Sequence, residues 1–275
     1  MRSLLVLAFL PTLLSGAGPL QIVQPIVSQS EGGVADAPGT THVPGEILFF
    51  TCRVANYTKT PEEKIRIAYS VQPFDPKGVP LAEIYKNELS DEVSPQDKDW
   101  MPRIATEVAI PPLVMSGDYK IVVKVEDLIG HTTTELAVPF QVRGHDVAPS
   151  DSLVIRNWHF FRNENDTQPI AKAVYKPGGV MWVKFDMTGY KFGPGNKLDV
   201  SYVFSILSGA GKVLFTNPEA AGDETESFYP KRYVTGEFSV PIQPNVKPGE
   251  YGVSVVVKDG IGNQTYEFKQ PFTVE

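Results

Sequence analysis

The sequence predicts an all-β protein in which two tandem antiparallel β-sandwich domains follow a signal peptide. Three observations predict this: an internal repeat, apolar residues that alternate with polar ones, and Pro and Gly residues that break the chain into short segments. The length of 275 residues suits two domains, and a hydrophobic fraction of 42% is enough to give each domain a core.

Residues 1–17 have the features of a signal peptide. Arg2 precedes an apolar run from Leu4 to Leu14, and Ser15 and Ala17 then follow with the small-x-small spacing of a signal-peptidase site. The run is shorter than the roughly 20 apolar residues that a membrane-spanning helix needs. We therefore expect a secreted or periplasmic protein with no transmembrane span after cleavage.

The repeat appears when the chain is shifted against itself by 132 to 133 residues. The shift aligns "VPGEILFFTCRVANY" with "KPGGVMWVKFDMTGY", "IRIAYSVQPFDPKGVPL" with "LDVSYVFSILSGAGKVL", and "SGDYKIVVKVEDLIG" with "PGEYGVSVVVKDGIG". Two copies with so long a period indicate tandem domains rather than a solenoid. We predict a first domain over 18–142, a linker over 143–151 and a second domain over 152–275.

Alternating apolar residues predict strands with one buried face in both copies. In the second copy the pattern gives seven strands, near 153–161, 179–188, 198–206, 212–216, 235–242, 250–258 and 264–274. The single cysteine, Cys52, aligns with Phe185 on the apolar face. We therefore expect Cys52 to be a buried, unreactive core residue.

The segments "DLIGHT" and "DGIGNQT" predict the tip of a hairpin between the last two strands of each copy. Here Asp127 and Asp259 are expected to cap the turn. Gly130 and Gly262 are expected to supply a backbone conformation that other residues resist.

These hairpins resemble those of bacterial extracellular immunoglobulin-like and fibronectin type III-like modules, in which Gly-x-Tyr opens the penultimate strand and Asp-x-x-Gly turns it. The resemblance implies an immunoglobulin-like sandwich in each copy, with Tyr119 and Tyr251 at the tyrosine-corner position. Ile121 and Val253 stand where antibody-type domains have a cysteine. The phrase "AVYKPGGVMWVKF" is similar, more weakly, to macroglobulin-type modules, and the sequence has no thioester motif.

The sequence offers little for catalysis, metal binding or nucleic-acid binding. A formal net charge of −7 disfavours nucleic acid and anionic lipid as partners. The four histidines have no metal-ligand spacing, Gly-x-Ser-x-Gly is absent, and "LSGAGKVL" is an incomplete phosphate loop. We interpret the acidic loops as solvent-exposed surface rather than as a Ca²⁺ site. The weak candidates for Ca²⁺ ligands are Asn163, Asp166 and Asp223. We predict no enzyme, no cofactor and no metal.

Aromatic residues form the most suggestive surface feature. The segment "SFYPKRYV" brings together Phe228, Tyr229, Arg232 and Tyr233, residue types that dominate binding hot spots. Two candidate anchors lie outside this segment. Trp182 is on the outward face of its strand, and Trp100 lies in the first copy at roughly the place that corresponds to "SFYPKRYV". Two interpretations stay open: these side chains bind a ligand, or they cover a sheet edge or pack between the domains.

The sequence therefore predicts a non-enzymatic binding or scaffold protein that recognises a protein partner or cell-envelope component through sandwich edges and loops. The alternative is a carbohydrate-binding accessory module that stacks aromatic rings on a glycan.

Overall fold

The computed structural model describes residues 18–97 and 99–275. The predicted signal peptide, residues 1–17, lies outside this part of the chain. Regular structure in the described residues is β-strand, apart from one three-residue 3-10 turn at Pro194–Asn196. The all-β prediction is confirmed.

The described residues of the first half of the chain form eight strands. They are β1 (Gln21–Ser28), β2 (Thr41–His42), β3 (Ile47–Ala55), β4 (Lys64–Phe74), β5 (Tyr85–Glu92), β6 (Arg103–Ala109), β7 (Gly117–Asp127) and β8 (Thr132–Val142). They form one sheet in the order β1-β3-β6 and a second in the order β2-β8-β7-β4-β5.

The second half repeats this topology. Its strands are β9 (Val154–Phe161), β10 (Val174–Tyr175), β11 (Val180–Thr188), β12 (Leu198–Ser208), β13 (Val213–Thr216), β14 (Ala221–Thr225), β15 (Val234–Pro241), β16 (Gly249–Asp259) and β17 (Gln264–Val274). The sheet orders are β15-β11-β9 and β10-β17-β16-β12-β13, with β14 also paired to β12. All seven strands predicted for this half are present, within two residues of their predicted bounds.

In residues 18–97 and 99–275 every strand pairing is antiparallel except for two short parallel ones, β2 with β8 and β10 with β17. Within the described residues, each ladder joins strands of the same half. The two sheets of each half enclose a separate hydrophobic core. These separate cores favour the predicted domain boundaries and linker, which stay a prediction.

The cores consist of the alternating side chains of the predicted strands. Leu48, Phe50, Cys52 and Val54 of β3 are fully buried, as are Met181, Val183 and Met187 of β11. Burying one such side chain contributes about 1.5–3 kcal/mol. Burial raises the pKa of the Cys52 thiol to about 12, so the group stays protonated and unreactive at neutral pH.

A tyrosine lies at the same corner of each half. The Tyr119 hydroxyl donates a hydrogen bond to the Met115 carbonyl oxygen over 2.7 Å, and the Tyr251 hydroxyl donates to that of Lys247 over 2.8 Å. Each bond ties the start of the penultimate strand to the loop four residues upstream, which is the tyrosine-corner geometry.

The last hairpin of each half is organised by a buried aspartate. Asp127 accepts hydrogen bonds from the backbone amides of Ile129, Gly130 and, across the domain, Thr58. Asp259 accepts them from the equivalent amides of Ile261, Gly262 and Lys191. Each carboxylate therefore fixes its own turn and also the loop between the two sheets.

The expected role of the turn glycines is wrong in one respect. The residues with positive φ are His131 (52°) and Asn263 (49°), not Gly130 and Gly262. A Cβ at Gly130 would collide with the Thr58 hydroxyl and the Asp127 carboxylate, and one at Gly262 would collide with the Asp259 carboxylate. Glycine is needed at these positions because the carboxylate lies so close to the backbone.

Candidate functional site

The predicted anchors Tyr229 and Tyr233 are buried, with 6% and 2% of their surface exposed. They belong to residues 226–233, which we call the strap. Tyr229 packs into the core of the first half, and its hydroxyl donates a 3.0 Å hydrogen bond to Asp75 Oδ2. Arg232, another predicted anchor, places Nη2 3.4 Å from the same oxygen. Tyr229 and Tyr233 are thus not exposed, whereas Arg232 remains 29% exposed, so the strap favours the second of the two interpretations, packing between the domains.

The carboxylate that receives the strap is itself buried and well bonded. Asp75 Oδ1 accepts hydrogen bonds from the backbone amides of Lys77 and Val79, each over 2.8 Å. The other oxygen, Oδ2, is therefore available to bond with the strap. Burial raises the pKa of Tyr229 to about 12, and the nearby Asp75 charge adds to this effect. Tyr229 is therefore a neutral donor to a buried carboxylate at physiological pH.

Tyr233 is held at the linker. Its ring meets His145 edge-on at 5.3 Å, and His145 Nε2 lies 2.6 Å from the buried carboxylate of Asp186. Burial, with the charges of Asp186 and Asp146 as lesser causes, raises the Tyr233 pKa to about 12. Tyr233, like Tyr229, is therefore packed inside the protein rather than exposed to solvent.

The remaining predicted anchors are scattered. Phe228, within the strap, is 49% exposed. Trp182 is half-buried on β11 between Phe161 and Ser239, while Trp100 is half-buried in the first half against Tyr57. They do not form the plane of three exposed rings that the glycan alternative requires.

The structure reveals an exposed apolar edge that the sequence interpretation did not single out. Val213, Leu214 and Phe215, three consecutive residues of β13, are 56%, 54% and 50% exposed. A groove of about 330 Å³ adjoins them, with one side-chain amide, that of Gln243, among its lining residues. The other lining side chains include Ile206, Val240, Ile242, Val246, Tyr251 and Phe272. We call β13 and this cavity the edge groove.

The backbone of β13 is open on one side. β13 is the last strand of its sheet and pairs with β12 alone, and Leu214 falls at a register shift where it has no partner in β12. The Asn217 amide donates to the Phe204 carbonyl, so alternation of the antiparallel ladder turns the backbone groups of Thr216 outward. An exposed, uncharged edge of this kind is a template for pairing with another chain.

The matching edge of the first half is protected. There β5 is a single eight-residue strand with exposed charges at Lys86, Glu88, Asp91 and Glu92. Charged residues are a common protection of sheet edges against pairing, and β13 has none. An uncharged, exposed sheet edge is therefore found at this position in the second half and not in the first.

A signal for this site was present in the sequence. Three apolar residues in a row interrupt the alternation in a strand of only four residues. The pattern identifies a strand without a polar face, but does not say whether another element covers it.

Two other cavities are wider and more polar. One, of about 900 Å³, lies between the halves and is lined by Phe192 and Phe228 together with Asn196, Glu226 and Arg232. The other, of about 730 Å³, lies on the outer face of the β4-β5-β7-β8 sheet, where Lys124 and Glu135 form a 3.1 Å ion pair.

The weak metal-ligand candidates form hydrogen bonds and ion pairs with other residues of this chain. Asp166 accepts a hydrogen bond from the Asn163 amide over 3.0 Å, and Asp223 lies 2.6 Å from Lys231 Nζ. In residues 18–97 and 99–275 no group of three or more His, Cys, Asp or Glu side chains is placed to hold a metal ion. In the same residues no helix is long and apolar enough to cross a membrane.

No protein-family model matches the sequence, and no curated protein matches it. Among solved structures, the chain is similar to the C-terminal domain of the Streptococcus agalactiae AgI/II polypeptide BspA, at 11% identity over 92% of this chain and 100% of that one, with a TM-score of 0.30. It is also similar to the C-terminal domain of the Streptococcus pyogenes antigen I/II-family protein AspA, at 12% identity over 92% and 99% of the two chains, with a TM-score of 0.30. Such TM-scores establish neither a shared fold nor a shared function.

Proposed function

We propose that this is an exported, non-enzymatic binding protein that recognises a protein partner through the edge groove. The observation that carries the proposal is the open, uncharged β13 edge beside an apolar cavity of about 330 Å³. An extended partner segment would pair with the free backbone of β13 and place a side chain in the cavity. Backbone pairing would supply affinity, and the cavity would supply specificity.

The size of the site sets the expected strength of binding. One four-residue edge and one cavity make an interface at the small end of those in protein complexes. We therefore expect a dissociation constant on the order of micromolar for a single site. Export is supported by the signal-peptide features of residues 1–17, and the strap supports a fixed arrangement of the two halves.

The alternative function, glycan binding, is favoured by one feature. Two exposed phenylalanines, Phe192 and Phe228, line the 900 Å³ cleft together with polar Asn196 and Glu226. Aromatic rings with neighbouring polar groups suit a sugar. The same experiment separates the two functions.

The test is capture of residues 18–275 on isolated bacterial cell-envelope material, half of it treated with protease beforehand. Leu214→Asp places a charge in the edge groove, and Ile47→Asp, at a residue 49% exposed on β3, is the matched control. We expect capture that protease and Leu214→Asp abolish and Ile47→Asp preserves. Capture that survives protease would identify a glycan ligand, and capture indifferent to Leu214→Asp would refute the edge groove as the site.

A further inference from the structure

The repeat shows what fills a groove of this kind, and this inference, which rests on the proposed function, names the chemistry of the partner. The groove residues Leu214, Val246 and Tyr251 correspond to Leu81, Val114 and Tyr119 in the first half. The first-half residues are all buried, Leu81 to 3% exposure against 54% for Leu214. The same corner is therefore closed in one half and open in the other.

The first-half corner is closed with the help of a segment from outside that half. The ring of Tyr229 belongs to the same core cluster as Leu81, Val114 and Tyr119. Its hydroxyl reaches Asp75, in the turn that follows β4. Tyr119 belongs to the same cluster, and burial first, then the neighbouring Tyr229 and Asp75, raise its pKa. A tyrosine-bearing segment of the neighbouring sandwich thus completes this corner.

The second-half corner differs in its polar groups. The position of Asp75 is occupied by Ser208, whose hydroxyl accepts the Lys212 amide over 3.1 Å. In the first half, the positive charge of Arg232 lies beside the negative charge of Asp75. Because the second-half corner has a serine in place of that aspartate, it has no negative charge that would attract a positively charged occupant. The groove lining is almost wholly apolar, so an uncharged occupant suits it.

We propose that the edge groove binds an uncharged, tyrosine-bearing segment of a partner protein, in the way that Tyr229 fills the corner of the first half. The aromatic ring enters the cavity beside Leu214 and Tyr251, and the flanking backbone pairs with the free edge of β13. The partner's hydroxyl stays at the cavity mouth, where water can bond it.

The chain supplies its own probe for this proposal. The acetylated, amidated tetrapeptide Ser-Phe-Tyr-Pro has the uncharged sequence of residues 227–230. It is titrated into ¹⁵N-labelled residues 18–275 and followed by amide chemical shifts, beside a peptide with alanine in place of the tyrosine. The two proteins compared with wild type are Leu214→Asp and the control Ile47→Asp.

We expect shifts confined to the edge groove, at least tenfold weaker binding of the alanine peptide, and a similar loss in Leu214→Asp but not in Ile47→Asp. Equal binding of both peptides, shifts at Asp75 and Tyr119 instead, or no binding at millimolar peptide would overturn the tyrosine proposal. If Leu214→Asp still abolishes envelope capture in that case, the proposed function stands and only the partner chemistry is wrong. Concentration-dependent self-association that Leu214→Asp removes would identify a second copy of this chain as the occupant, and would also overturn the proposal.

Discussion

Replacing Tyr229 tests whether the strap holds the two halves together. Tyr229→Phe removes only the hydroxyl, and with it the 3.0 Å bond to the buried Asp75 carboxylate. A hydrogen bond to a charged group contributes about 1.5–3 kcal/mol to stability. Tyr229→Ala also removes a ring that is 94% buried, so the expected loss rises to about 3–5 kcal/mol. Both losses are measured as changes in the free energy of unfolding in urea at pH 7.

The neighbouring residue supplies the control. Phe228 lies in the same segment but is 49% exposed, so Phe228→Ala should change stability by no more than about 0.5 kcal/mol. A loss below about 1 kcal/mol for Tyr229→Ala, or equal losses for the two alanine variants, would refute the reasoning, because either result means that burial of Tyr229 contributes little.

The pKa of Tyr229 adds a pH test of the same contact. Its folded-state pKa of about 12 lies above the unfolded value of about 10. Its contribution is therefore fully present below pH 10 and is lost as the pH rises toward 12, by up to about 3 kcal/mol. Tyr229→Phe should reduce this alkaline loss of stability, and an unchanged alkaline slope would contradict the assignment.

Three further predictions concern the core and the hairpin turns. Cys52 should resist a thiol reagent in the native protein and react on unfolding, because it is fully buried with a pKa of about 12; rapid native labelling would contradict this. Burial opposes the charge of Asp127, but hydrogen bonds from Gly130, Thr58 and Ile129 outweigh it and lower the pKa. The stability that this carboxylate gives is thus present above about pH 4 and lost as the pH falls. Asp127→Asn should therefore destabilise the protein near neutral pH and lose its effect in acid, and a difference independent of pH would exclude the charge as the cause. Gly130→Ala should cost about 1–3 kcal/mol in thermal or urea unfolding, because its Cβ meets Thr58 and Asp127, whereas His131→Gly, at a positive φ, should cost nothing or stabilise.

Much of the fold could be predicted because its determinants are local. The alternation of side chains in β3 and β11 follows from the pleat of a strand, and the repeat checks each assignment against a second copy. The aspartate of the hairpin could be identified because it bonds amides two and three residues away. The role of Gly130 was mistaken because its constraint is a close approach and not a positive φ: a Cβ would meet the Asp127 carboxylate and also Thr58, which is distant in sequence and lies in another loop.

The candidate site could not be predicted in the same way. The sequence shows that 228–233 is rich in aromatic residues but not that Tyr229 packs into the other half, against a carboxylate 154 residues away in sequence. Likewise, Leu81 and Leu214 occupy equivalent positions in the repeat, yet one is buried and the other exposed.

The sequence by itself therefore determined the strands, the repeat and the turns. It also showed which catalytic, metal-binding and phosphate-binding motifs are absent from it. The tertiary structure alone decided which apolar groups face another part of the protein and which face water. The physical reason is that strand and turn formation depend on near neighbours, whereas the exposure of a side chain depends on whatever packs over it from any distance along the chain. In the first half Tyr229 packs at the corner, and in the second half the equivalent corner is open.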